Sequence, residues 1–174
     1  MIPIGGQPQR ILLPVNVGFM ALTLVLALLF NLLPWGDMAG MPDMLALVLT
    51  FWCIHQPRKI GIGTAWLLGL VMDASTGALL GQHALAYAVL AFAAIGLHRR
   101  ILWFSLWQQA AHVLVLLLAS QVLMVAAGIV AGESFPGFVY FAGSLIAAAL
   151  WPTATFVLLL PQRRPESVDE NRPI

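Results

Sequence analysis

Apolar residues fill this chain in long runs that carry no charge: Ile11 to Gly36, Met44 to Pro57, Ile60 to Met72, Ala74 to His98, Ile101 to Gly132 and Ser134 to Gln162. A bilayer crossing takes about 20 such residues. The charges between the runs alternate in sign. Arg10, Arg58 with Lys59, Arg99 with Arg100 and Arg163 with Arg164 are basic, and Asp37, Asp43, Asp73 and Glu133 occupy the intervals. Short loops rich in Lys and Arg stay on the cytoplasmic side, so the basic clusters mark the inner face and the acids the outer one. Two crossings separate successive basic clusters. The pattern predicts an all-α integral membrane protein, a bundle of six transmembrane helices with both termini cytoplasmic. The expected spans are 11–33, 40–56, 60–75, 80–98, 112–131 and 138–160, within one transmembrane domain over 1–162.

Three details modify this outline. The third span, Ile60 to Ser75, reaches about 24 Å as a helix, short of the roughly 30 Å hydrocarbon layer, so either the bilayer thins there or the following turn is recessed. The stretch ILWFSLWQQ, Ile101 to Gln109, makes the fifth run too long for one upright crossing and reads as an interfacial segment at the cytoplasmic headgroups. Pro152 removes a backbone donor and is expected to kink the sixth span. The polar tail 163–174, RPESVDENRPI after its first arginine, reads as disordered and cytoplasmic. The amino-terminal run is too long for a signal-peptide core and reads as an uncleaved first span.

Composition agrees and narrows the classes. Hydrophobic residues make up 61% of the 174 and charged ones 9%, far below the roughly 25% of a soluble domain. The net charge of +1 and the placement of the basic residues offer no nucleic-acid surface. Cys53 is the chain's one cysteine, which leaves no intrachain disulfide and suggests a buried thiol.

Asp73 is the sharpest chemical feature, because a carboxylate at membrane depth costs about 2.5–3.5 kcal/mol or more without water or partners. Two readings are open. In the first, Asp73 closes a helical hairpin by accepting the N–H groups of Ser75 or Thr76, with Gly77 supplying a positive φ. In the second, Asp73 and His83 line a proton or ligand site. His83 sits at a wet position near the turn, and His55 and His98 lie beside basic clusters. Ser105, Gln108 and His112 share one helix face that suits packing against another protein. The pairs Gly36/Gly40, Gly77/Gly81 and Gly128/Gly132 have the small-xxx-small spacing of close helix contacts. No catalytic, cofactor or metal site is expected: an intramembrane aspartyl protease needs two facing acids and only Asp73 falls at membrane depth, and Ser144 in FAGSLI only faintly echoes a rhomboid nucleophile.

The stretch from Pro42 to Phe92 resembles the MreD family of bacterial rod shape-determining proteins. The likeness rests on Pro42 and Asp43, on Pro57 before a glycine-containing basic turn, and on GLVMDASTGALLGQHAL, where Gly69, Leu70, Asp73, Gly77, Leu80 and Gly81 fall on the family pattern. The resemblance implies a non-enzymatic scaffold of the cell-elongation machinery in the cytoplasmic membrane. Its implied partners are an MreC-like protein, a RodA-like glycosyltransferase, a class B penicillin-binding protein and, indirectly, MreB filaments, besides membrane lipids. It also implies a fold like the S-component of energy-coupling-factor transporters, and that kinship defines the alternative, a vitamin-binding transporter subunit. The candidate turn and partner residues are Pro42, Asp43, Pro57, Gly69, Asp73, Gly77, Gly81, His83, Gln108 and His112.

Overall fold

The computed structural model describes residues 16–34 and 40–162. The start of the first span, Gly36, Asp37, the arginines at 10, 163 and 164, and the tail from 163 lie outside them.

Among the described residues the structure is helical throughout: α1 (Val17–Asn31), α2 (Met44–His55), α3 (Ile62–Thr76), α4 (Gln82–Leu102), α5 (Leu106–Val130), α6 (Ala142–Ala149) and α7 (Trp151–Leu159), with 3-10 turns at Phe138–Phe141 and Leu160–Gln162. By length and apolarity α4 and α5 can each cross a membrane, and Phe138–Ala149 with Trp151–Gln162 forms a third such unit bent by 44°. The bend follows from Pro152, which has no N–H to give to the preceding turn. Helices α1, α2 and α3 are apolar but shorter.

Helix α2 is the centre of the bundle. It packs against α1, α4, α5, α6 and α7, and every residue from Leu45 to Ile54 is buried. Its twelve residues rise only about 18 Å. Around it, α1 turns in Met20, Leu24 and Ala27 at helical spacing, and Trp52 Nε1 donates to Thr23 Oγ1 at 2.9 Å. Helix α3 packs chiefly on α4. Its buried stripe is Ala65, Gly69, Met72 and Asp73, and Gly69 lies against the backbone of Ala84 in α4.

Several expectations are corrected here. The close helix approach is made at Gly69, where a Cβ would collide with the backbone of His83 and Ala84; around Gly77 and Gly81 there is open space. Those two glycines act instead through φ values of +67° and +105°, which turn the chain from α3 into α4. Gly128 lies against the Glu133 and Gln82 side chains, and Gly132 has φ +94°. Within the stretch 101–109, α4 runs on to Leu102 and α5 starts at Leu106, six residues before the expected span. The break is a capping box, in which Gln108 Oε1 accepts the Ser105 N–H at 3.1 Å. Trp103 and Trp107 on either side of it are 93% and 73% exposed.

Candidate functional site: two capped helix starts around a polar pocket

Two acids lie at the starts of α2 and α4. Asp43 is the N-cap of α2. Its Oδ1 accepts the Ala46 N–H at 2.8 Å and Asn31 Nδ2 at 2.7 Å, while Oδ2 accepts the Tyr87 hydroxyl at 2.7 Å. Asn31 Oδ1 in turn accepts the Met44 N–H at 3.1 Å. One carboxylate thus ties the end of α1, the start of α2 and the body of α4 together, and its negative charge lies where the α2 dipole favours it.

Asp73, 1% exposed, caps a helix to which it does not belong. Its Oδ1 accepts the His83 N–H at 2.8 Å and His83 Nδ1 at 2.9 Å; Oδ2 accepts the N–H groups of Gly81 at 2.8 Å and Ala84 at 3.3 Å. The expected partners, Ser75 and Thr76, are not used. A helical Cα–Cβ bond tilts toward the N-terminus, so the Asp73 carboxylate points away from them. Their hydroxyls donate back to the α3 carbonyls of Val71 and Met72. The hairpin role of Asp73 stands, with the first turn of α4 as its object.

Beside Asp43 lies a pocket of about 160 Å³, lined by Asn31, Pro42, Asp43, His83, Gln121 and Tyr140, with Phe30, Met41, Met72 and Met124 as apolar wall. Among the described residues no lysine or arginine lines it. A second cavity of about 10 Å³ lies against Asp43, Ser120, Gln121 and Ser144. There the Ser144 hydroxyl donates to Gln121 Oε1 at 2.7 Å, linking α6 to α5. Ser144 is therefore engaged with an amide, where a rhomboid-like nucleophile would be engaged with a histidine. Among the described residues no cluster of three metal-ligating side chains assembles.

Helix lengths set the depth of this site. Asp43 stands about 18 Å above the His55 end of α2, and Asp73 about 16 Å along α3 from Ile62. Both ends begin beside the basic pair Arg58 and Lys59, and both lengths are shorter than a roughly 30 Å hydrocarbon layer. Asp43 and Asp73 thus stand at similar distances from that basic pair. The turn after Asp73 exposes Leu79 and Leu80, 50% and 74%.

Of the residues singled out in the sequence, Pro42, Asp43, Gly69, Asp73, Gly77, Gly81 and His83 gather at this end. Pro57 lies at the other end of α2, in a turn closed by the Lys59 N–H on the Gln56 carbonyl at 2.9 Å. Gln108 and His112 begin α5 at the opposite end from the pocket, His112 stacked on Phe104 with centroids 4.8 Å apart. Asn31, Tyr87, Gln121 and Tyr140 were missed; the lone amides at 31 and 121 within uncharged runs were the available signal.

Comparison with known proteins fits this arrangement. The family model for rod shape-determining protein MreD matches residues 9–161. The Rod shape-determining protein MreD of Haemophilus influenzae is 30% identical over 142 residues, covering 80% of this chain and 87% of its own. No solved structure matches significantly. This membrane protein, with its two capped helix starts at one end of an all-helical bundle, belongs to the MreD family of rod shape-determining proteins.

Proposed function

We propose that the chain is a non-enzymatic scaffold of the bacterial cell-elongation machinery. It crosses the cytoplasmic membrane six times with both termini inside, binds an MreC-like protein, and through it connects MreB filaments to a RodA-like glycosyltransferase and a class B penicillin-binding protein. The observation that carries this reading is the family match over 9–161. The geometry supports it: Asp43 and Asp73 each use both oxygens to hold helices together, while large apolar side chains such as Leu22, Leu26 and Leu29 of α1 face outward, available to lipid or to partner helices.

The alternative, a vitamin-binding S-component-like subunit, needs a pocket of roughly 300–1,000 Å³. The pocket beside Asp43 holds about 160 Å³, which argues for the scaffold. Co-purification in mild detergent tests the choice. Recovery of MreC-like and RodA-like proteins with the tagged chain is expected, and their absence from a well-folded preparation overturns the proposal.

A further inference from the structure

One outward face of α4 and its C-cap runs Leu85, Val89, Phe92, Gly96, Arg99 and Trp103, exposed residues spaced three or four apart. It is apolar up to Gly96, beside which there is open space, and then ends in charge. Arg99, Arg100, Trp103 and Phe104 line an open cleft of about 490 Å³ at this end. The turn holds them together: the Trp103 N–H donates to the Arg100 carbonyl at 3.3 Å and the Phe104 N–H to the Ile101 carbonyl at 3.1 Å. Among the described residues neither arginine side chain has an ion pair or a hydrogen bond. The described acids stand far off: Asp43 and Asp73 bond to Tyr87 and His83, about 18 and 24 Å back along α4 from Arg99, and Glu133 follows the other end of α5. The negative end of the α4 dipole favours basic residues in its last turn. It accounts for neither the cleft nor an indole 93% exposed.

We propose that this cleft binds an anionic phospholipid, with the phosphodiester between Arg99 and Arg100 and an acyl chain along the face of Gly96, Phe92 and Leu85. A guanidinium offers a planar fork of donors that matches phosphate oxygens. Two such groups on one cleft, with no carboxylate beside them, favour a ligand of net negative charge over a zwitterionic one. The Trp103 indole suits the same depth, where an amphipathic ring meets headgroup and chain together. Length agrees as well. Leu85 to Arg99 is about 21 Å of helix, more than the roughly 15 Å of acyl chain in half of a 30 Å core. Gly96, one turn before Arg99, leaves a notch where a chain can lie against the helix backbone. The site needs only a membrane and none of the partners proposed above.

Native mass spectrometry of the purified full chain, delipidated in detergent and then given equal amounts of phosphatidylglycerol and phosphatidylcholine with the same acyl chains, tests the proposal. The wild type is expected to retain phosphatidylglycerol with a preference of about tenfold. Arg99→Gln combined with Arg100→Gln should abolish that preference. Arg58→Gln, which removes a charge from the turn after α2, should keep it. Trp103→Ala leaves every charge in place and should weaken phosphatidylglycerol binding several-fold, which keeps the site testable even if the double variant fails to assemble. No preference in the wild type, an equal loss in Arg58→Gln and in the double variant, or an unchanged affinity in Trp103→Ala overturns the proposal. Release of the bound lipid by inorganic phosphate at constant ionic strength assigns the cleft to a free anion and overturns it too.

Discussion

Substitution of Asp73 separates the two capping oxygens. Gly81, His83 and Ala84 are the N-cap, second and third positions of α4, whose N–H groups have no partner inside the helix. Asp73 satisfies all three from α3, and at 1% exposure no water can replace it. Asp73→Leu orphans these donors and the His83 Nδ1–H. At about 1–3 kcal/mol for each buried donor, and leaving out the long 3.3 Å bond to Ala84, the loss is roughly 3–9 kcal/mol. A typical protein has about 5–15 kcal/mol in total. Asparagine looks harmless from the sequence, since an amide oxygen still accepts turn hydrogen bonds. The structure changes that expectation: each carboxylate oxygen accepts two donors, so the amide Nδ2 must face one pair and loses both bonds. Asp73→Asn is therefore expected to cost about 2–4 kcal/mol. Unfolding followed by tryptophan fluorescence in detergent should rank wild type above Asn above Leu, with Tm lowered by roughly 4–16 °C for Asn. His83→Ala removes the side-chain donor alone and should fall between wild type and Asn. An Asp73→Asn protein as stable as wild type would refute the two-oxygen cap.

Other substitutions probe the packing and topology. Gly69→Ala places a methyl group where the α4 backbone lies and should destabilise by about 1–3 kcal/mol; Gly63→Ala, in open space on the same helix, should be neutral or stabilising by about 0.5–1 kcal/mol, and thermal unfolding of the two compares them directly. Tyr87→Phe leaves Asp43 Oδ2 without its donor and should lower stability by about 1–3 kcal/mol; a double-mutant cycle with Asn31→Ala would show coupling through Asp43. For topology, Arg100→Cys should be labelled by an impermeant thiol reagent only from the cytoplasmic side and Glu133→Cys only from outside, with the buried native Cys53 silent; reversed labelling would overturn the orientation.

Much of the helical layout was legible because charge and Pro-Gly punctuation fall at its breaks. The αL turn at Gly77 follows from Asp-Ala-Ser-Thr-Gly, and the bend of the last pair follows from Pro152. Hydropathy does not distinguish a helix facing lipid from one facing protein, since both surroundings are apolar. It therefore gave no sign that α2 is enclosed on every side while α1 and α5 carry the exposed leucines and valines. The α5 boundary was missed for another reason: Ser105-Leu-Trp-Gln108 carries the capping-box pattern, but two tryptophans beside it drew the reading toward an interface. Distances across the fold were not legible at all. Nothing local to Asp43 announces Tyr87, forty-four positions away, and nothing local to Asp73 fixes which backbone it caps.

The two acids share one physical cause. A helix that starts at the membrane surface can leave its first N–H groups to water, but one that starts at depth cannot, because each unsatisfied group there costs several kcal/mol. Helices α2 and α4 both begin inside the fold, at Asp43 and beside Asp73. Each needs an acceptor carried by the protein, and a carboxylate accepts more donors than any neutral side chain while also meeting the positive end of the helix dipole. Buried helix starts thus explain the buried acids. The twelve-residue α2 also leaves the space beside Asp43 that Asn31, His83, Gln121 and Tyr140 surround. At Asp43 the cap and the pocket both follow from the early start of α2, so lengthening α2 by a turn should remove both together, while the Asp73 cap of α4 should persist.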